Sequence, residues 1–555
     1  MKSMEFDYII VGAGSAGCIL ANRLTESGEH SVLLLEAGGA DDSFWFKVPV
    51  GFTKTYYNPE YNWMYYSEPE AQLKNRSLYC PRGKVQGGSG SINAMIYVRG
   101  QPHDFDDWAR AGNAGWGYRD VLPYFRRLES HWAGDTPYHG AHGKIRISSM
   151  KDGAHAICGT FLEGARQAGF PVTGDINGED YEGATIYDIN ARNGERSSSS
   201  FEYLHPVLGR KNLRVERHVS VSRVLFDGKR ATGVMASRNG EALQFRAKRE
   251  VILSAGAVDS PKLMQLSGLG DGALLARHGI ALVHELPAVG RNLQDHLCVS
   301  FYYRATVETL NDELGSLFGK VKAAMRYLSS RKGPLSMSVN QSGGFFKGDD
   351  DEAQPNLQLY FNPLSYRIPK SSKAQLEPEP YSGFLLCFNP CRPTSRGSIE
   401  IASSRVEDAA KIRINALTTP RDIREAVQGS KLVRKIMSSA ALRAITAEEI
   451  SPGPDVQSDA DMLEYFREQS GSIYHLCGSC AMGPDARTAV VDERLRVHGV
   501  QGLRIVDASI FPNITSGNLN APVMMVAEKG ADMILDDART VVGQVPTPAE
   551  PAAIA

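Results

Sequence analysis

Residues 6–36 read FDYIIVGAGSAGCILANRLTESGEHSVLLLE. FDYIIV is β-branched and apolar, GAGSAG is a tight glycine turn, CILANRLTESG carries helical periodicity, and SVLLLE is a second short buried run. Strand, turn, helix and strand in that order make a βαβ unit. Within it Gly12, Gly14 and Gly17 form G-x-G-x-x-G, with Ser15 and Ala16 at the start of the helix. Such a turn lets the backbone approach a pyrophosphate and aims the helix N-terminus at its charge. Glu36 closes the second strand, where a carboxylate accepts both ribose hydroxyls of an ADP moiety. A glycine turn alone is weak evidence; the carboxylate at this spacing makes the dinucleotide reading. Nothing in the motif separates NAD from FAD, because both present the same ADP half.

Outward from this unit, the 555 residues exceed what one core usually organises. Strand-like segments return in LRVERHVSVSRVLFDG, ATGVMAS, REVILSAGA and, near the end, GLRIVDASIFP. If all join one sheet, the first domain is discontinuous. The fold class expected is α/β with an α+β elaboration. A Rossmann-like dinucleotide-binding domain takes residues 1–155, 205–299 and 466–540. A substrate domain on an antiparallel sheet with helices takes 156–204 and 300–465, with helical patterns at 319–330 and 420–438. The stretches at 348–352 and 370–382 read as solvated loops, and 541–555 as a Pro/Ala-rich tail.

Composition removes several classes of function. With 61 basic and 63 acidic residues the formal charge is −2, so no field would hold a polyanion, and nucleic acid is not an expected partner. Eight cysteines without framework spacing suit a reducing, cytoplasmic setting. Asp7 interrupts the N-terminal apolar run, which argues against a signal peptide, and no apolar stretch approaches the roughly 18 residues of a spanning helix. Peripheral contact with the inner face of a membrane stays open.

Two further segments, PRGKVQGGSGSINAMIYVRG at 81–100 and GAVDSPKLMQLSGLG at 256–270, closely resemble the two signatures of the glucose-methanol-choline oxidoreductases. VGRNLQDH at 289–296, YHLCGSCAMG at 474–483 and GLRIVDASIFPNITSGNLNAPVMMVAEKGADMI at 502–534 extend the resemblance over nearly the whole chain. It implies FAD. Gly87, Gly88 and Ser89 offer small residues whose amides surround a flavin without side-chain obstruction. The resemblance further implies that Asn93 and Ala94 lie by the isoalloxazine, Val219 by the adenine, and Asp507 and Ala508 by the diphosphate-ribitol region. Some relatives attach FAD through a histidine; the corresponding residue here is Ile92, so non-covalent FAD is expected.

Oxidising an alcohol by hydride removal needs a base for the hydroxyl proton. His475 matches the family's catalytic histidine, and Asn518 in GNLNAP matches the position where relatives carry histidine or asparagine, suited to hold the developing alkoxide. Asn520 reads as a cofactor-side or structural residue, His296 as a structural hydrogen-bonding one, and Cys477-x-x-Cys480 as packing rather than metal ligation. Gln341, read as standing where several relatives have glutamate, turns the expectation from choline toward a neutral alcohol, primary aliphatic, aromatic or glycol-like. Tyr360, Phe361 and Tyr474 are candidate pocket walls. The expected function is FAD-dependent alcohol dehydrogenation to an aldehyde or ketone, with a quinone-like acceptor or dioxygen. An oxidase, a redox-silent cyanohydrin lyase and a flavin-binding protein without turnover are the competing readings.

Overall fold

The computed structural model describes residues 4–367 and 376–542. The expected loop at 370–382 falls partly outside the described residues, and the expected tail at 541–555 almost wholly so. The βαβ unit forms as read: β1 (Met4–Val11), α1 (Ser15–Leu24) and β2 (Val32–Leu35), with β1 and β2 parallel in the register Tyr8↔Val32 to Val11↔Leu35. Leu213–Glu216 adds in parallel outside β2. The long strand Glu241–Leu253 lies on the other side of β1 and is shared between two pairings. Its first half closes an antiparallel ladder with Arg230–Arg238, which in turn pairs Ser220–Asp227. Its second half runs parallel to β1 and to Leu503–Ile505. Strands from the start, middle and end of the chain therefore meet in one seven-stranded sheet.

A second seven-stranded sheet is antiparallel throughout. Its order is Thr446–Ser451, Leu297–Ala305, Gly383–Pro390, Leu357–Asn362, Ser342–Phe346 and Gly183–Ile186, and Gly471–Ser472 pairs the start of Leu297–Ala305. The helices Leu317–Ser330 and Pro420–Met437 accompany this half of the chain. The fold is α/β with an antiparallel-sheet elaboration. The expected boundary at 299/300 falls inside the strand Leu297–Ala305, because the run DHLCVSFYY alternates in burial without a turn residue to mark where the strand begins.

Close packing, more than turn geometry, dictates glycine at two positions of the motif. Gly12 has φ +100°, and a Cβ there would lie 2.5 Å from the Ser254 carbonyl oxygen. Gly17 is helical, yet its Cβ would lie 2.0 Å from the Gly12 carbonyl oxygen, so α1 seats against the turn only without a side chain. The Asn520–Val542 helix then covers α1, tied by the Arg23 guanidinium to Glu528 and Asp532 and by Tyr203 Oη to Glu528. Gly17→Ala must push α1 away from backbone that has no room to yield. We expect a loss of about 1–3 kcal/mol, read as a lowered midpoint of chemical unfolding; an unchanged midpoint would show that α1 shifts freely.

Candidate active site

A cavity of about 1440 Å³ runs from the glycine turn to the second sheet. Gly12, Gly14, Ser15, Ala16, Glu36, Gly88, Ser89, Asn93, Ala94, Val219, His475, Asp507, Ala508, Asn518 and Asn520 all line it. Gly17 and Gly87 do not. Gly17 is taken up by the packing of α1, and the Gly87 amide donates to the Ala13 carbonyl at 2.7 Å, which binds the 87–91 turn to the glycine motif. A Cβ on Gly88 would come within 2.8 Å of Gly14 Cα, so the two loops touch backbone to backbone.

The cavity end at the glycine turn fits a dinucleotide. Gly14 caps α1 with no side-chain hydrogen bond, leaving the first amides of the helix free for an anion. Glu36 is buried; its two oxygens accept from the amides of Ala13 (2.9 Å) and Gly38 (2.8 Å), and burial pushes its carboxyl up to about 7. Each oxygen keeps a lone pair for a ribose hydroxyl. Val219 donates its amide to the Glu36 carbonyl at 2.9 Å. Asp507 is more an organiser than a ligand: it accepts from the Gly256 amide (2.9 Å), Ser260 Oγ (2.6 Å) and the Ser509 amide (2.8 Å). Asn520 Oδ1 accepts from Ser15 Oγ at 2.8 Å and so joins the terminal helix to the glycine turn.

Sequence reading missed the residue that holds Asn93. Arg196, buried beneath the 90–93 turn, donates to Asn93 Oδ1 (2.6 Å), Asn93 O (2.7 Å) and Gly90 O (3.2 Å), and desolvation lowers it to about 9. Nothing in the local pattern GERSSS marks it, since its partners lie about a hundred residues earlier. Ile92 sits in a small apolar cluster with Phe46 and Val85 and lines the cavity without a nucleophile.

At the other end, two sequence segments lie antiparallel. Gln294 bridges Cys477, Leu297 pairs Ser472, and the Ile473 amide donates to the His296 carbonyl at 3.0 Å. This pairing sets His296 Nδ1 2.9 Å from His475 Nδ1. Asp295 Oδ1 accepts the amides of both His296 (2.9 Å) and His475 (2.8 Å), and Ser472 Oγ donates to its other oxygen. Tyr474, the residue before the histidine, is held at φ +73°, a left-handed conformation that a tyrosine keeps only under strong constraint.

One proton arrangement satisfies every contact. His296 Nε2 lies 2.7 Å from the Cys391 carbonyl and must donate to it, so His296 Nδ1 is an acceptor. His475 Nδ1 therefore donates to His296, which leaves the lone pair on His475 Nε2, 3.3 Å from Asn518 Nδ2. Burial lowers both imidazoles, His296 to about 4; for His475 the neighbouring His296 and Arg82 push further in the same direction, well below the usual histidine range. Both rings are neutral at pH 7. Asn518 Oδ1 in turn lies 3.5 Å from Gln358 Nε2, and Gln358 Oε1 accepts from Tyr360 Oη at 2.8 Å.

One expected wall residue, Phe361, and the substrate argument built on Gln341 are corrected. Phe361 does not face the cavity; side chains alternate along Leu357–Asn362, so Gln358 and Tyr360 point one way while Phe361 stacks on Phe161 at 5.0 Å in the core behind. Gln341 is also turned away, its Oε1 accepting the His155 amide at 2.7 Å, so it gives no ground for substrate choice. Tyr360 and Tyr474 do line the cavity. Cys477 and Cys480 are buried in the core of the first sheet.

An ADP-binding βαβ unit opening onto a neutral histidine beside an asparagine amide defines an oxidoreductase that works on a bound dinucleotide. Comparison with known proteins agrees: the pattern described as GMC oxidoreductase matches residues 6–298 and, in a second part, 393–527. The oxygen-dependent choline dehydrogenase of Vibrio vulnificus (strain YJ016) is 42% identical over 96% of this chain and 94% of its own. The mitochondrial choline dehydrogenase of Homo sapiens is 40% identical over 96% and 90%. Among solved structures, pyridoxine 4-oxidase from Mesorbium loti superposes with a TM-score of 0.86 at 30% identity, covering 95% of this chain and 98% of that one. A formate oxidase gives 0.89 at 26%, over 98% and 100%. The chain belongs to the GMC oxidoreductase family. FAD is its cofactor.

Glu36→Ala removes the carboxylate from the ribose end and leaves the histidine pair untouched. Losing the Glu36 carboxyl's hydrogen bonds to the cofactor, at roughly 0.5–1.5 kcal/mol each, should weaken FAD binding by about three- to a hundredfold with turnover per bound flavin preserved. Titration of the apoprotein with FAD checks the first part; full affinity with lost turnover would contradict the placement.

Proposed function

We propose that this protein oxidises an uncharged alcohol to an aldehyde or ketone, with His475 as the base and Asn518 as the donor to the alcohol oxygen. The observation that carries the reading is the proton order in the pair of histidines, which presents His475 Nε2, unprotonated, beside the Asn518 amide at the cavity wall. Bound FAD, held without a covalent link in the absence of an attachment residue at Ile92, supplies the hydride acceptor. His475 Nε2 takes the hydroxyl proton as the carbinol hydrogen leaves. Asn518 Nδ2 then turns its donor from the imidazole to the oxygen on which charge grows. His296 accepts from His475 Nδ1 while its own Nε2 stays bonded to the Cys391 carbonyl, so the ring that takes the proton is held in one orientation.

Substrate class follows from the wall around that pair. Cys298, Ser300, Tyr302, Tyr360, Tyr366 and Cys387 line it, and among the described lining residues the acids are Glu36, Asp259, Glu407 and Asp507, none of which contacts His475 or Asn518. The nearby Asp295 is buried and committed to two amides and a hydroxyl. An ammonium substrate would find no free carboxylate. The choline dehydrogenases among the relatives support a second reading, since tyrosines also attract a quaternary ammonium through their ring faces. Choline and its uncharged isostere 3,3-dimethylbutan-1-ol separate the two: the neutral alcohol should have the higher kcat/KM, and a preference for choline would overturn the substrate assignment.

A dehydrogenase with a quinone-type acceptor is favoured over an oxidase or a cyanohydrin lyase. Anaerobic alcohol should bleach the flavin band, and a quinone analogue should restore it faster than dioxygen. Acid precipitation should release the flavin into the supernatant.

The base assignment has a signed pH dependence. Because burial and neighbouring positive charge lower His475, the reactive neutral form already dominates at pH 6.5; the reduction rate should be flat above that and fall only at more acid pH. His475→Ala should abolish the acid limb and slow reduction by roughly two to four orders of magnitude with FAD retained, whereas Asn518→Ala should be slow with the limb intact. Stopped-flow reduction of both variants across pH distinguishes the roles.

A further inference from the structure

The helix Leu317–Ser330 is built the wrong way round for a soluble surface. Only Gly319, Ala323 and Tyr327 face the protein. Leu317 and Phe318 are each 79% exposed, Leu328 63%, and Val321 and Met325 also stand in solvent. At about 100° per residue these five fall within an arc of about 100° on the side opposite the packed face. Lys320 borders the arc on one side, Lys322 and Arg326 on the other, and all three are exposed. Arg331 and Lys332 follow at the C-terminal end, Arg331 reaching Glu195 at 3.4 Å. No Asp or Glu occurs in the sequence between Glu313 and Asp349.

Partly exposed aromatic residues flank the helix on its packed side. Phe44, half exposed, meets the Tyr327 ring at 6.4 Å, and the exposed Trp45 lies against Phe44 at 5.5 Å. Lys54 Nζ sits 5.9 Å from the centre of the Trp45 ring. An apolar stripe, a cationic border and an amphipathic tryptophan at its edge make the pattern of a helix that lies in a lipid headgroup region.

We propose that this face docks the enzyme on an anionic lipid bilayer, with Leu317, Phe318, Val321, Met325 and Leu328 entering the headgroup–acyl boundary and Lys320, Lys322 and Arg326 meeting lipid phosphates. The charge selects the occupant. A second copy of the chain would bring the same uncompensated cations face to face across a two-fold axis, which opposes self-association. Among the described residues no helix is long and apolar enough to cross a membrane, so the contact is peripheral. From Ser330 the chain continues through Pro334–Ser336 to Val339 and Asn340, which line the cavity. A short segment thus joins the docking helix to one wall of the cavity.

The test is flotation of the FAD-loaded protein with vesicles of phosphatidylcholine containing phosphatidylglycerol, and with pure phosphatidylcholine vesicles. The protein should float with the anionic vesicles, less with the neutral ones, and be released by salt. Phe318→Ser with Leu328→Ser, and separately Lys320→Glu with Arg326→Glu, should each weaken binding by roughly tenfold or more, while alcohol oxidation with a soluble dye acceptor stays unchanged. That activity shows the variants are folded. Failure to float with either vesicle, floating of both variants like the parent, or a dimer in sedimentation that the serine variant dissolves would each overturn the proposal, the last by assigning the face to a second copy.

Discussion

The hydrogen bond between His296 and His475 is the interaction that fixes the geometry at this end of the cavity. A lone buried imidazole has two tautomers and can turn either nitrogen to a substrate. Here the Cys391 carbonyl fixes one proton on His296, His296 fixes one on His475, and the remaining lone pair has a single direction. The arrangement requires two segments some 180 residues apart to run antiparallel in register, and the ladder from Gln294–Cys477 to Leu297–Ser472 supplies that. Asp295 locks the same register from behind by accepting an amide from each segment.

The cofactor half obeys a different constraint, the exclusion of side chains. Gly12 meets backbone at Ser254 and Gly88 meets backbone at Gly14, while Gly17 seats α1 on the Gly12 carbonyl of its own turn, so three segments close tightly around the motif. Dinucleotide binding and core packing are met by the same atoms, and for that reason Gly17 and Gly87 belong to the motif although they do not line the cavity. Arg196 extends the logic: by holding the 90–93 carbonyls from below it leaves the upper surface of the turn to the cavity.

Family membership and substrate are decided at different places. The segments that carry the family resemblance include the glycine turns and the stretches bearing His296 and His475, whereas the wall formed by Cys298, Ser300, Tyr302, Tyr360 and Cys387 comes from neighbouring strands of the second sheet. Its lining is partly aromatic, with Tyr302 and Tyr360 among its residues.

By itself the sequence determined the βαβ unit, because a glycine period and a strand of buried aliphatics are local signals, and the family, through its ordered motifs; the resemblance also singled out His475 and Asn518 as candidates. The sequence also placed the helices near 319–330 and 420–438, whose periodicity is local too. Only the tertiary structure decided what those residues touch. His296 became the hydrogen-bond partner of His475, Arg196 the support of the 90–93 turn, Gln358 the neighbour of Asn518, and Phe361 left the cavity wall. The outward turn of the apolar face on Leu317–Ser330 was equally hidden, since amphipathicity reads the same whether the apolar stripe meets a core or a lipid surface. Contacts between strands distant in sequence carry no local signature; their partners are chosen by sheet register, and register exists only once the chain has folded.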